Sequence, residues 1–282
     1  MPVPDYELQS YWENRFRTES HFEWLGDGVA TIIPHLRASL RAQRVSSPPR
    51  LLHIGAGSSW LSDCILETYR DEFGQSVDAS MIVNLDFSEE VVRRGMDSQA
   101  GGGGGMRWIR ADALQWQDLA AVLVRPDSDK GGLDHPGLEA VIGSFGLVVD
   151  KSTSDSIACA ENVALSSSDP HLNPIVKAFL EKNAAYALKL YPVEVLALHL
   201  ASLTHPGAIW IALSFSASRF EFLASPERVD TSLNTISSVE PSRYWVLQQV
   251  DEVEACPGKE GVGAPHVQHF VYVLRRTDYT VL

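Results

Sequence analysis

The run Arg50-Leu-Leu-His-Ile54 passes without a break into Gly55-Ala-Gly-Ser-Ser59, and that junction constrains this chain more than any other feature. A short apolar run closed by glycines is how a buried parallel strand turns into a helix, because residues without bulky side chains let the backbone reverse tightly. Ser-Ser-Pro-Pro precedes the strand and breaks whatever comes before it. Residues Trp60 to Phe73 then place Leu61, Ile65, Leu66 and Tyr69 at helical spacing, with Asp63, Glu67, Arg70 and Asp71 between them. Strand, glycine turn and helix in this order open a mononucleotide-binding unit.

The pattern recurs. Met81-Ile-Val-Asn-Leu85 is a second apolar run, ending in Asp86, and Ser88 to Met96 begins as a capped helix with Val91 and Val92 inside it. Arg107 to Ala111 is a third, ending in Asp112. Phe145 to Val149 is a fourth, ending in Asp150, and Ala208 to Leu213 a fifth, ending in Ser214. Alternating strands and helices predict an α/β fold with a Rossmann-like, doubly wound parallel sheet. Tyr244 to Val250 and His269 to Leu274 read as a C-terminal antiparallel hairpin on the far edge of that sheet.

Two segments depart from the rhythm. Gly101 to Gly105 is an unbroken glycine run, expected as a flexible loop. Val163 to Leu203 is longer than one crossover helix requires. It predicts an insertion around residues 163–191 on the surface, then a helix from Pro192 to Leu203 with the proline in its first turn. No internal repeat or second domain is signalled, so residues 1–282 are expected to form a single domain.

Composition narrows the function classes. The 282 residues carry 23 basic and 36 acidic side chains, a formal charge of −13, which repels phosphate backbones and anionic lipid in the absence of a basic patch. No nucleic acid and no membrane is therefore expected as a partner. Cys64, Cys159 and Cys256 are odd in number and far apart, which suits a reducing compartment. His171, His199 and His205 lack ligand spacing, so no metal site is expected. The opening residues show no apolar signal core, and no stretch approaches the roughly 20 apolar residues of a membrane helix. A cytoplasmic location is the expectation.

The glycine turn also discriminates among ligands. GAGSSW lacks the third glycine of the dinucleotide fingerprint and the Gly-Lys-Ser/Thr ending of a triphosphate loop. A carboxylate-bearing adenosine ligand suits a helix N-terminus of this kind. Asp86 stands where a carboxylate accepts both ribose hydroxyls, a role shared by nicotinamide- and methionine-type cofactors. Asp112-Ala-Leu and Asp150-Lys follow at the ends of the next two strands, and all four loop tips converge on the carboxyl edge where open sheets bind ligands. Each acid has a plain alternative as a cap of the following helix, and a Gly-x-Gly turn alone is a steric necessity in many strand-to-helix joins.

Taken together, Tyr11-Trp-Glu-Asn-Arg-Phe16, LLHIGAGSSWLS, IVNLDFSEEVV, RWIRADALQW and FGLVVDKSTSDSIAC resemble the class I S-adenosylmethionine-dependent methyltransferases. The YWxxRF and DKSTSDSI blocks look like the branch that contains elongation-factor lysine methyltransferases. Within it, HFEWL, DKSTSDSIAC and LSFSASRF are more similar to fungal small-molecule thiol methyltransferases of the gliotoxin type. The resemblance implies a seven-stranded sheet and S-adenosylmethionine as cofactor, leaving as S-adenosylhomocysteine. It implies that Gly55, Ala56 and Gly57 approach the methionine part, Asp86 the ribose, Asp112 and Ala113 the adenine, and Asp150 with Lys151 the floor beside the sulfonium, with Ser58 and Phe87 as further cofactor-binding residues. An N-terminal segment, residues 1–45, would fold back over the cofactor. In it Trp12 and Arg15 would cover the cofactor, the guanidinium pairing with its carboxylate, and Trp24 would complete an apolar wall. Ser59 departs from the third glycine common in such enzymes.

Methyl transfer from a sulfonium is an in-line displacement with a neutral leaving group, so geometry dominates and no metal is demanded. The resemblance implies a small-molecule thiol of the dithiol secondary-metabolite type as substrate for this monomer, and a free thiol pKa of about 8.5 already yields some thiolate near neutral pH. On the substrate side stand Lys151, Ser152 and Asp155, then Ser216, Arg219 and Phe220. Asp155 is the candidate base and Arg219 a group that lowers a thiol pKa; each has a bland alternative, a helix cap and a rim salt bridge. Trp210, Phe215, Phe220 and Phe222 either enclose an apolar substrate or form plain core. His53, inside a strand, is expected in the core. The competing readings are a protein lysine methyltransferase acting on an elongation factor and a non-catalytic cofactor-binding module.

Overall fold

A computed structural model describes residues 4–43, 47–99, 105–122, 143–223, 239–254 and 267–280. The expected glycine loop lies, but for Gly105, outside the described residues. Helices α1 (Gln9–Thr18) and α2 (Ile32–Gln43) precede strand β1 (Leu51–Ile54), which leads to α3 (Leu61–Phe73). Then follow β2 (Ile82–Asp86), α4 (Glu89–Asp97), β3 (Arg107–Arg110), α5 (Trp116–Val122) and β4 (Phe145–Lys151). A short helix α6 (Thr153–Ile157) leads to β5 (Val163–Ser166), α7 (Pro174–Lys182), β6 (Ala187–Leu190) and α8 (Pro192–Leu203). The long strand β7 (Thr204–Ser214) and the pair β8 (Trp245–Glu254) and β9 (Gln268–Arg276) complete the described elements.

Seven of these strands form one sheet in the order β3-β2-β1-β4-β7-β9-β8. Strands β3, β2, β1, β4 and β7 run parallel, and β9 is antiparallel to both neighbours. Every side chain of β1, β2 and β4 is buried, as parallel strands covered on both faces require. Alternation splits the apolar residues into two layers. Leu51, Leu147, Val149, Ile209 and Ile211 meet α2 and α3 on one face, through Ile32, Leu36, Leu61 and Ile65. Leu52, Ile54, Val148, Trp210 and Ala212 meet α7 and α8 on the other, through Val176, Leu180, Leu196 and Leu200. Helix α8 buries every residue but Glu194, so it is apolar all round and runs through the core.

Residues 163–191 differ from a surface excursion. Strands β5 and β6 pair antiparallel as a separate two-stranded sheet, and α7 between them sends Ile175, Val176 and Leu180 into the main core. The short strands escaped notice because their side chains are only partly buried and carry no clear alternation. Helix α8 begins and ends where the sequence places it, with Pro192 at its first turn. Among the described residues no helix is long and apolar enough to cross a membrane.

Candidate functional site

The carboxyl ends of β1, β2, β3 and β4 open into one cavity of about 510 Å³, within the roughly 300–1,000 Å³ usual for small-molecule sites. Gly55 shows why β1 must end as it does. Its φ is +58°, and a Cβ there would stand 1.9 Å from Thr153 Oγ1, which itself donates to the Ile54 carbonyl at 3.0 Å. Gly57, at φ +59°, presents its N–H to Asp86 Oδ2 at 2.9 Å, and Ser88 N–H reaches Oδ1 at 2.8 Å. Two backbone donors thus hold one carboxylate on the cavity wall with lone pairs to spare. Burial pushes Asp86 up to about 6, against the lowering by these N–H groups.

An aromatic strap covers the opening. Tyr6, Trp12, Phe16, Phe22 and Trp24 all line the cavity and touch one another, with Trp12 5.9 Å from both Phe16 and Trp24 and 6.1 Å from Tyr6, centroid to centroid. The strap is tied down at several points. Phe22 N–H donates to Ser58 Oγ at 3.0 Å, and Gln9 Nε2 to the Phe87 carbonyl at 2.7 Å. Lys151 Nζ is spent on the strap, donating to Glu23, to the Gly26 carbonyl at 2.8 Å and to Ser59 Oγ at 2.9 Å. Burial lowers the Lys151 pKa and the Glu23 partner opposes that fall.

The structure gathers Trp12, Trp24, Gly55, Ala56, Gly57, Asp86, Phe87, Ala113, Lys151 and Asp155 at this cavity. It does not place the rest of the expected set there. Arg15 turns away: its guanidinium lies 3.7 Å from the Phe22 ring centroid and bonds Tyr11 Oη and Glu19. Ser58 holds the strap. Asp112 caps its own turn, accepting Leu114 N–H at 2.9 Å, and Ala111, Ala113 and Leu114 line the wall at this end instead. Asp150 caps α6 through Thr153 and Ser154 N–H at 2.8 and 3.2 Å, and burial pushes it up to about 7.

The two side chains expected to do chemistry are engaged with each other. Asp155 is 3% exposed and Arg219 9%. Asp155 Oδ1 accepts Arg219 Nε at 2.8 Å and the Ser214 hydroxyl, while Oδ2 accepts Ser152 Oγ at 2.9 Å and Phe215 N–H at 3.1 Å. With four donors on two oxygens, Asp155 has no lone pair left for a substrate proton. The pair ties the turn after β4 to the turn after β7, and Ser152 takes a left-handed φ of +63° to join it. Arg219 is absent from the cavity wall and reaches Tyr191 Oη at 3.4 Å. Trp210 and Phe220 are core, 4.9 Å apart, whereas Phe215 stands half exposed on the cavity rim. His53 is fully buried on Ser62 and Asn84, and burial lowers it to about 4.

Sequence reasoning missed Tyr6, Glu7, Phe16 and Phe22 on this wall. The dense aromatic spacing from Tyr6 to Trp24 was the available signal for the three aromatic residues.

The sheet order, with a lone antiparallel strand inserted next to the last, decides the fold. The chain has the class I methyltransferase fold. No protein-family model matches it. The methyltransferase srdJ of Neurospora crassa is 34% identical over 166 residues, which are 58% of this chain and 59% of the length of that relative. Among solved structures, an S-adenosylmethionine-dependent methyltransferase from Anabaena variabilis shares 11% identity at a TM-score of 0.49, covering 98% of this chain and 96% of its own. A protein described for the conversion of a disulfide bond into a thioacetal group during echinomycin biosynthesis shares 15% identity at 0.47, covering 97% and 94%.

Cavity chemistry accords with a cationic adenosine ligand. Four charged side chains line the wall: Glu7, Asp86, Lys151 and Asp155. Lys151 is neutralised by Glu23 and Asp155 by Arg219, which leaves two carboxylates against apolar and aromatic walls. Such a site repels a phosphate chain and welcomes a sulfonium. Trp24 Nε1 is buried on the wall with no partner among the described residues, an N–H suited to a ligand carboxylate.

Proposed function

We propose that this chain is an S-adenosylmethionine-dependent methyltransferase that methylates a thiol on an apolar small molecule. One observation carries the proposal: a cavity at the carboxyl ends of four neighbouring strands whose two charges without an ionic partner, Glu7 and Asp86, are both negative and whose remaining wall is largely apolar. The relative named a methyltransferase supports it. Bound here, the cofactor would supply an electrophilic methyl group on a sulfonium. Asp86 would accept the ribose hydroxyls, the Gly55–Gly57 turn would lie along the methionine portion, Trp24 Nε1 would meet its carboxylate, and Ala111, Ala113 and Leu114 would flank the adenine.

The protein's contribution to rate is positional. Holding a nucleophile in line with the methyl carbon at about 3 Å supplies several kcal/mol, and the aromatic strap excludes competing water. The cavity extends past the glycine turn to Ser156, Ile157, Cys159, Ala160 and Phe215, a largely apolar end fit for a small molecule. Mass spectrometry of a panel of apolar thiols and dithiols, incubated with enzyme and S-adenosylmethionine beside a cell lysate, tests this. Methylated small thiols are expected. Labelling of a lysate protein with the thiols untouched would favour the protein-methyltransferase reading.

A further inference from the structure

Glu7 is the one charged group on the cavity wall that the fold leaves uncommitted. Asp86 is held by two backbone N–H groups, Asp155 by Arg219 and three further donors, and Lys151 by three acceptors. Glu7 makes no hydrogen bond or ion pair among the described residues. Its backbone is nonetheless fixed. The Tyr6 carbonyl accepts from Trp12 Nε1 at 2.6 Å and from Ser156 Oγ at 2.5 Å, and α1 begins two residues later, anchored by Gln9 to the loop after β2. A half-buried carboxylate on a rigid segment, facing an apolar space, is what a general base requires.

Cys159 reports on the chemistry of that space. It lies on the same wall, its Sγ 3.5 Å from the Asp155 carbonyl, and its thiol pKa is raised first by burial and next by the Glu7 charge. A thiol at this end of the cavity therefore lies within the field of Glu7.

Resting on the methyltransferase reading and deepening it, we propose that Glu7 is the general base that takes the proton from the substrate thiol. The S–H proton passes to a Glu7 carboxylate oxygen, and the electron pair left on sulfur forms the new S–CH3 bond. The pair of the breaking methyl–sulfonium bond stays on the cofactor sulfur, which leaves as a neutral thioether. Glu7 then loses the proton to water as product departs. Asp155 and Arg219 act at one remove, as positioning residues for the rim that carries Phe215.

The test compares wild type, Glu7→Gln and Glu7→Asp with benzyl mercaptan as the thiol. A base that deprotonates bound thiol makes kcat/KM nearly flat from about pH 6 up to the pKa of the free thiol. Glu7→Gln must wait for thiolate from solution, so its kcat/KM is expected to climb about tenfold per pH unit and to fall more than about 100-fold below wild type near pH 6. Glu7→Asp is expected to recover part of that loss. Calorimetry with S-adenosylhomocysteine bound gives a second readout: wild type should lose affinity for benzyl mercaptan above its pKa, because Glu7 repels thiolate, whereas Glu7→Gln should not. Unchanged S-adenosylhomocysteine affinity shows that the variant is folded. A Glu7→Gln profile as flat as wild type overturns Glu7 as base and leaves the methyltransferase reading standing. Absence of S-adenosylhomocysteine binding, or of transfer to any thiol by wild type, overturns both.

Discussion

Replacing Asp155 with alanine removes a carboxylate that is 3% exposed and strands a guanidinium that is 9% exposed, with its Nε donor left pointing at an apolar gap. Of the other donors, Ser152 Oγ already reaches the Leu213 carbonyl, while the Ser214 hydroxyl and the Phe215 N–H lose their acceptor and add a smaller loss to that of the charge. The cost is therefore mainly that of an unpaired buried charge, about 3–5 kcal/mol. At roughly 2–4 °C per kcal/mol for a chain of this size, the melting temperature should fall by about 10 °C. Removing the arginine as well, with Arg219→Met, takes away the stranded charge, so the double variant should recover most of the loss. Differential scanning calorimetry of wild type, both single variants and the double variant measures this coupling. Asp155→Ala melting with wild type while losing methyl transfer would refute the structural role and restore Asp155 as a catalytic group.

Three further outcomes follow from the same geometry. Gly55→Ala combines a positive φ with a Cβ 1.9 Å from Thr153 Oγ1, so it should lower stability by about 2 kcal/mol or more in denaturant titration, whereas substitution at exposed Gly26, with open space around it, should cost less. Asp86 has its pKa pushed up to about 6 by burial, and ribose hydroxyls donate to its ionised form; S-adenosylhomocysteine affinity should therefore fall about tenfold per unit as pH drops below 6, and Asp86→Asn should show weak binding without that slope. Lys151→Met removes the three-way anchor of the strap, so limited proteolysis near residues 19–28 should quicken and ligand protection against it should weaken.

Local pattern carried much of the fold. The junction at Gly55, the acids at Asp86 and Asp150, and the helix from Pro192 were all legible because strand period, turn chemistry and helix capping act over a few residues. Strand β7 begins four residues before the expected Ala208, and β8 and β9 outrun their apolar cores, because ladder hydrogen bonds continue where side-chain alternation stops. The site was legible only in part. Asp86 accepts from neighbours close in space on two adjoining loops, and its place could be read from order alone. Lys151 meets Glu23 across 128 positions and Asp155 meets Arg219 across 64, and no periodicity reports such pairs. Arg15 was expected on the ligand, but within one helix it has Tyr11 and Glu19 a turn away on either side, and local partners prevailed. Glu7 carries no motif at all; only the commitment of every other charged group on the wall sets it apart.

Calorimetric titration of the purified chain with S-adenosylhomocysteine, run beside NADH, bears most directly on the cavity's assignment. Saturable one-to-one binding of S-adenosylhomocysteine, lost in Asp86→Ala and absent with NADH, is the expected result. No heat with S-adenosylhomocysteine, or binding of NADH in its place, would contradict the account.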